Sequence, residues 1–207
     1  MKRLPDWRLY LVTDRALARP RPLEEIVLAA VRGGVTVVQL REKDCDTREF
    51  VALARRLKAA LPAEVPLIIN DRVDVALAAD ADGVHLGQSD MDFDDARRLM
   101  GPDRLVGLSV ETMEQALAAE RLDADYLGVS PVFPTLTKTD AGNAWGIEGL
   151  RALRVRSRHV LVAIGGINAA SARAVFDAGA DGIAVVSAIC AAPDPEAATR
   201  ELIRLRR

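Results

Sequence analysis

Short apolar segments alternate with amphipathic segments along the whole chain. Helical spacing of apolar residues is clearest at residues 22–34, 48–61, 94–100, 113–119 and 171–180. Eight runs have the length and composition of buried strands: residues 9–13, 35–40, 66–70, 83–86, 105–109, 126–129, 160–164 and 182–186. Apolar strands that each lead into a helix predict a parallel sheet, and eight such units can close into a (β/α)8 TIM barrel. An open doubly wound sheet is the structural alternative.

Length and composition agree with this fold class. The chain has 207 residues, which predicts one catalytic domain over residues 1–207. Half of the residues are hydrophobic and only 4% are aromatic. We therefore expect an interior built mainly from Ala, Val, Leu and Ile.

Net charge and targeting signals narrow the possible partners. The formal net charge of −2 gives no large basic face, so we expect neither a nucleic-acid nor a membrane partner. The first residues lack the apolar run of a signal peptide and no segment is long enough to span a membrane, which predicts a cytoplasmic protein. Cys45 and Cys190 show no metal-ligand spacing and are predicted to be reduced and non-catalytic. The sequence leaves a monomer and a homodimer open.

Polar residues follow the predicted strands at their carboxyl ends. In a (β/α)8 barrel these ends form the single mouth that carries the chemistry. The seventh and eighth strands run into Gly165-Gly166 and Ser187. A glycine turn and the start of a helix present backbone N–H groups to an anion, so Gly166 and Ser187 are predicted to bind a phosphate. A plain tight turn is the alternative for the two glycines.

A second anion site is predicted across the mouth. Arg41 and Lys43 are two residues apart and share a face if the strand stays extended, and Lys138 is placed to close over the same group. Asp71 and Asp90 follow adjacent strands beside these cations, which matches how Mg²⁺ is held by carboxylates and substrate phosphates. The alternative is that both aspartates are helix N-caps, Asp71 for a helix starting near Arg72 and Asp90 for one starting near Asp92.

No nucleophile or general base is evident in this arrangement. His85 lies at a strand end and is typical of a hydrogen-bonded structural residue, while His159 precedes the seventh strand, at the opposite end of the barrel from the mouth. Two anion sites and a metal without a base indicate a cavity that aligns two phosphorylated molecules. The segment 130–146 has the length of a lid, although composition does not show whether it moves.

Six motifs together resemble the thiamine phosphate synthase family, whose superfamily also contains the thiazole tautomerases. They span nearly the whole chain, in the family order: QLREK (39–43), IINDRVDVALAADADGVHLGQSD (68–90), GLSVET (107–112), GVSPVFPTLTK (128–138), AIGGI (163–167) and ADGIAVVSAI (180–189). The resemblance implies a transferase that joins a hydroxymethylpyrimidine diphosphate to a thiazole phosphate, giving thiamine phosphate and diphosphate. It leaves open whether the thiazole carries an extra carboxylate.

The resemblance also implies roles for individual residues. One Mg²⁺ per subunit would be held by Asp71 and Asp90. The pyrimidine diphosphate would be bound by Gln39, Arg41, Lys43, Asn70, Ser109 and Lys138. Of these, Arg41, Lys43, Ser109 and Lys138 would be catalytic. The thiazole phosphate would be bound by Thr135, Thr137, Gly166, Val186 and Ser187.

The implied mechanism is dissociative, since diphosphate departs before the thiazole nitrogen attacks, and this explains the missing base. Glu111 stands where related sequences often carry a histidine, which is the residue that the tautomerases are thought to use for proton transfer. That substitution counts against a tautomerase without removing it as an alternative. A non-catalytic barrel that binds a thiamine precursor is a second alternative. Sugar-phosphate isomerisation is disfavoured because no acid/base pair flanks the mouth.

Overall fold

The computed structural model describes residues 4–135 and 143–206. Its strands are β1 (Leu9–Val12), β2 (Val37–Leu40), β3 (Leu67–Asn70), β4 (Gly83–Leu86), β5 (Leu105–Val110), β6 (Tyr126–Val129), β7 (Leu161–Ile164) and β8 (Gly182–Val185). Each strand pairs in parallel with the next along the chain, and β8 pairs with β1, so that the sheet is a closed barrel. The predicted (β/α)8 barrel is confirmed, and the open sheet is excluded.

Helices separate the strands and surround the barrel. Within the described ranges they are α1 (Arg15–Ala18), α2 (Leu23–Gly33), α3 (Thr47–Ala60), α4 (Val73–Ala78), α5 (Phe93–Met100), α6 (Met113–Ala119), α7 (Gly146–Arg154), α8 (Ala169–Asp177), α9 (Ser187–Cys190) and α10 (Pro195–Arg204). All five segments with clear helical spacing are helices. No helix in the described part of the chain is both long and apolar enough to cross a bilayer.

The core is mainly aliphatic, as expected, but the barrel interior also contains aromatic rings. Aliphatic residues do fill the layer between strands and helices. Inside the barrel, however, the rings of Trp7, Tyr10 and Tyr126 pack together, with 4.4 Å between the centroids of Trp7 and Tyr126. A Cβ at Gly107 would stand 2.2 Å from Cζ of Tyr126, so the missing side chain of that glycine makes room for the ring. Three aromatic rings thus pack together with aliphatic side chains inside the barrel.

Three aspartates tie the strands together at the amino end of the barrel. Asp82, Asp125 and Asp181, called the basal aspartates below, stand directly before β4, β6 and β8. One carboxylate oxygen of each accepts a hydrogen bond of 2.8 Å from a backbone N–H of the preceding strand: those of Leu67, Val106 and Leu161. Each also contacts a cation: Lys58, Arg97 and Arg154, respectively. These aspartates fix strand register at the end remote from the mouth.

Candidate active site

A cavity of about 520 Å³ opens at the carboxyl ends of the strands, and we call it the mouth cavity. Eleven of the predicted site residues line it: Gln39, Arg41, Lys43, Asn70, Asp71, Asp90, Ser109, Thr135, Gly166, Val186 and Ser187. The other two predicted residues, Thr137 and Lys138, lie outside the described residues. The fold therefore brings together side chains that are far apart along the chain.

The basic side of the mouth cavity is built by β2 and its exit. Successive residues of an extended chain face opposite sides, and Gln39, Arg41 and Lys43, each two residues from the next, all line the cavity. Gln39 is only 4% exposed, and its Nε2 donates to the hydroxyl of Tyr10 at 2.9 Å. The backbone N–H of Arg41 donates to Oγ1 of Thr13 at 3.0 Å, which holds the strand end against the neighbouring one. Both cations line the cavity, although the strand itself ends at Leu40.

The acidic side is formed by Asp71 and Asp90, and neither is a helix N-cap. Helix α4 begins at Val73 after Arg72, and α5 is capped by Asp92, whose side chain accepts from two backbone N–H groups. Asp71 has left-handed backbone geometry, with φ of 62°. Oδ2 of Asp90 accepts from the N–H of Gly87 at 2.6 Å. The N-cap explanation for these two aspartates is wrong.

The two carboxyl groups interact with each other, although the Asp71 residue as a whole is exposed. Partial burial of the carboxyl and then the neighbouring Asp90 raise the pKa of Asp71 to about 6, against the opposing influence of Arg41. The described residues contain no cluster of three or more His, Cys, Asp or Glu suited to a metal. Two converging carboxylates nevertheless fit Mg²⁺, because this ion commonly takes one or two protein carboxylates and completes its shell with substrate oxygens and water.

The opposite side of the mouth cavity is formed by the exits of β7 and β8. Gly166 has φ of 64°, and a Cβ there would stand 2.8 Å from the carbonyl oxygen of Pro134. The N–H of Phe133 donates to the carbonyl of Gly165 at 3.0 Å, so the exits of β6 and β7 are in direct contact. Helix α9 begins at Ser187. The two glycines therefore form a tight turn, and that turn lies at the wall of the cavity beside a helix start.

Sequence reasoning assigned no role in the site to several polar residues at the cavity floor. Nε2 of His85 lies 2.8 Å from Oγ of Ser109, and the imidazole stacks on the Tyr126 ring. The hydroxyls of Tyr10 and Tyr126 are 2.8 Å apart. Burial raises the pKa of both phenols, so they stay neutral. Inward-facing parity along each strand was the signal available for these residues, but it identifies them only once the closed barrel is established.

The remaining histidine and the two thiols lie away from the cavity wall. His159 is buried, and its ring nitrogens lie 3.1 Å from the carbonyl oxygens of Ala119 and Ala124. Cys190 is buried, and burial raises the pKa of its thiol to about 11, which disfavours the reactive thiolate. Neither Cys45 nor Cys190 is among the described residues that line the mouth cavity.

Glu111 does line the mouth cavity. Its backbone N–H donates to Oε1 of Gln115 at 2.7 Å, which places the residue at the turn before α6. Glu111 therefore places a carboxylate in the cavity wall at the position where related sequences often carry a histidine.

Comparison with known proteins gives a consistent picture. The thiamine monophosphate synthase family profile matches residues 9–189. A thiamine-phosphate synthase of Albidiferax ferrireducens is 57% identical over 204 residues, which cover 98% of this chain and 93% of that protein. One of Chloroflexus aurantiacus is 55% identical over 198 residues, with 95% and 91% covered.

A solved structure agrees with these sequence relatives. Thiamine phosphate pyrophosphorylase from Pyrococcus furiosus superposes with a TM-score of 0.87 at 43% identity, over 97% of this chain and 95% of that one. The resemblance inferred from six motifs is thereby confirmed across nearly the whole chain. This chain belongs to the thiamine monophosphate synthase family.

Proposed function

We propose that this chain joins a hydroxymethylpyrimidine diphosphate to a thiazole phosphate and releases diphosphate, using its own residues in the roles predicted from the sequence. The observation that carries the proposal is the arrangement of charge in the mouth cavity. Arg41 and Lys43 line it together with the Asp71–Asp90 pair, and the turn at Gly166 lies across from them. Such a cavity suits one reactant with a diphosphate and a second with a single phosphate.

The pyrimidine diphosphate binds on the basic side. Arg41 provides a planar fork of donors for phosphate oxygens, and Lys43 adds a mobile point charge. The remaining proposed ligands of this reactant are Gln39, Asn70, Ser109 and Lys138. When bound between Asp71 and Asp90, Mg²⁺ supplies positive charge to the oxygens of the departing diphosphate.

The reaction needs charge stabilisation and alignment more than proton transfer. The C–O bond to diphosphate breaks with its electron pair, and the resulting pyrimidine-methyl cation is stabilised by the ring's own amino group. The thiazole nitrogen then donates its lone pair to form the new C–N bond, so no proton is removed at either carbon or nitrogen. Arg41 and Lys43 stabilise the negative charge that develops on the leaving group, and Ser109 helps to hold the pyrimidine ring.

The thiazole phosphate binds at the exits of β6 to β8. Its proposed ligands are Thr135, Thr137, Gly166, Val186 and Ser187. The turn at Gly166 and the start of α9 offer backbone N–H groups to a phosphate. Both phosphorylated groups are then held by opposite walls of one cavity, which aligns the reacting nitrogen and carbon between them.

The direct test supplies the purified protein with Mg²⁺ and both phosphorylated precursors. We expect thiamine phosphate and diphosphate to appear together, and a chelator to stop the reaction. Turnover of a thiazole carboxylate phosphate without pyrimidine or metal would instead establish a tautomerase. Binding of the precursors without any turnover would establish a binding protein. The name carried by the relatives and the carboxylate at Glu111 both favour the synthase.

Three further statements stay predictions from the sequence. They are one Mg²⁺ per subunit, a cytoplasmic location, and small molecules as the only partners apart from a possible second copy of the chain. Mass measurement in solution would decide between monomer and homodimer.

A further inference from the structure

Between the two cations of the β2 exit lies a carboxylate that faces the other way. Val38 and Leu40 point into the apolar layer under the helices, and both are fully buried. Glu42, two residues past Leu40, is not among the described residues that line the mouth cavity and contacts Arg15 instead. Its side chain is only 3% exposed. The exit of β2 thus alternates inward cations with an outward buried anion.

The buried carboxylate is bound by the neighbouring β1 exit. Nε of Arg15 donates to Oε2 of Glu42 at 2.8 Å, and this hydrogen bond raises the pKa of the guanidinium. The same exit holds Arg41, through Oγ1 of Thr13 and through an ion pair of 3.5 Å with Asp14. Three consecutive residues of the β1 exit therefore hold two consecutive residues of the β2 exit.

Stability alone does not account for Glu42. Its Oε1 is buried and has no hydrogen-bond partner among the residues of known placement. A buried carboxylate with only one satisfied oxygen is costly, and an apolar side chain of similar size at such a position is often as stable or more stable. The ion pair must therefore supply something other than packing.

The Glu42–Arg15 pair fixes which residues of the β2 exit face the cavity and which face the buried layer. A shift of the β2 exit by one residue would turn Glu42 inward and bring Arg41 or Lys43 into the buried layer beside Arg15, a like charge. That state buries a cation against a cation, so it is strongly disfavoured. Only the observed register pairs the outward residue with Arg15 and leaves both flanking cations in the mouth cavity.

We infer that Glu42 and Arg15 are positioning residues, which hold Arg41 and Lys43 toward the departing diphosphate without touching substrate themselves. This inference rests on the proposed function, since it assigns the cations to that diphosphate. Loss of the pair would let both cations leave the cavity together. The thiazole phosphate side, formed by the exits of β7 and β8, would be unchanged.

The test compares Glu42→Gln and Arg15→Gln with the unaltered protein. Calorimetric titration of Mg²⁺-diphosphate measures the cation site without any turnover. We expect each variant to bind Mg²⁺-diphosphate about tenfold more weakly, because Arg41 and Lys43 would no longer be held toward the diphosphate. In turnover assays, KM for the pyrimidine diphosphate should rise while KM for the thiazole phosphate stays within about twofold, as expected when only one side of the cavity is disturbed. The double variant should be no worse than the worse single one, since both remove one interaction.

Two matched variants separate positioning from general damage. Glu49→Gln removes the second carboxylate near Arg15, which is 3.4 Å away and 56% exposed, and should leave diphosphate binding unchanged. Asp125 lies at the amino end of the barrel, and its carboxylate is about as buried as that of Glu42. Asp125→Asn should lower the Tm without changing the ratio of the KM values for the two substrates. Arg15→Gln alters a half-exposed side chain, so it tests the inference even if Glu42→Gln folds poorly.

The outcomes keep the inference and the proposed function apart. Unchanged diphosphate binding in a folded Glu42→Gln or Arg15→Gln protein would overturn the positioning role, whatever the turnover assay shows. Weaker diphosphate binding in both variants would support it even if no thiamine phosphate were formed. The absence of product from the unaltered protein would overturn the proposed function alone.

Discussion

At the amino end of the barrel every basal aspartate has a cation and a backbone amide as partners, whereas at the mouth the carboxyl of Asp71 faces that of Asp90, which accepts from the Gly87 amide. The Asp125 carboxylate is 5% exposed and yet has Arg97 at 2.7 Å and the Val106 amide at 2.8 Å. Asp71 is more exposed, but partial burial of its carboxyl and then the neighbouring Asp90 raise its pKa to about 6. One end of the barrel pairs each carboxylate with a cation, and the other end brings two carboxylates together.

The difference separates two uses of the same residue type. At the amino end an aspartate before a strand stabilises the fold by joining two strands. At the mouth, two aspartates lower stability in the free protein, and a bound cation would relieve the repulsion between them. Repulsion kept at one place, beside cations and a glycine turn, is the pattern expected of a ligand site. The following predictions test this contrast, from the largest expected effect to the smallest.

Arg41→Ala should cause the greatest loss of activity. We expect kcat/KM to fall by roughly 10²–10³-fold, because a charged donor to the leaving group is removed from a partly buried site. The free energy of unfolding should change little. Steady-state kinetics and thermal unfolding measure the two. A fall in Tm with near-normal kinetics would show that Arg41 stabilises the fold and does not act on the leaving group.

Asp125→Asn should do the opposite. Breaking this buried ion pair leaves the Arg97 guanidinium with only the exposed carboxylate of Asp123, at 3.6 Å, so we expect the free energy of unfolding to fall by about 3 kcal/mol. The kcat of the folded fraction should match that of the unaltered protein. Urea unfolding and active-site-normalised kinetics provide the readouts. Selective loss of kcat would show that the two ends are coupled.

Asp90→Asn should lower activity and raise stability. Removing one of two facing carboxylates should increase the Mg²⁺ concentration for half-maximal rate by about tenfold. It should also raise the free energy of unfolding by up to about 1 kcal/mol, once solvent screening is allowed for. The amide oxygen can still accept from the Gly87 N–H, so the turn should persist. An unchanged metal requirement would remove Asp90 from the proposed metal site.

Asp95→Ala is the matched control on the outer surface. Asp95 pairs with Arg98 one helical turn away at 2.7 Å, and both side chains are more than half exposed. Exposed pairs of this kind contribute less than about 1 kcal/mol, so Tm and kinetics should both stay close to the unaltered values. A large change in Tm or kinetics would mean that loss of any charged side chain, wherever it lies, produces the effects expected of the other three variants.

The fold could be predicted because its signals are local and repeat along the chain. The runs at residues 83–86 and 126–129 are apolar, short and preceded by turn-forming residues, and both strands begin and end at the predicted residues. Repetition of the same unit then implied the barrel. The site could be predicted in outline for a related reason: the carboxyl ends of parallel strands meet at one edge, so polar residues at those ends had to converge.

The details that were wrong or missed depend on geometry that no local pattern contains. The N-cap explanation failed because Asp71 adopts a left-handed backbone and the helix starts later than its sequence suggests. The hydroxyl contact between Tyr10 and Tyr126 joins residues 116 positions apart, and it requires knowing that both face the barrel axis. The roles assigned to all the site residues stay predictions, and Thr137 and Lys138 also lie outside the described residues.

Closure of the barrel by β1 and β8 has a consequence for biosynthesis. Leu9 to Leu11 pair with Ile183 to Val185. One edge of β1 therefore stays unpaired until β8 has been synthesised. Until then the nascent chain exposes an apolar strand edge of the kind that associates with other chains. Changing the order of the elements along the chain by circular permutation would change which strand edge stays uncovered longest. Such permuted chains should differ in refolding yield far more than in final stability.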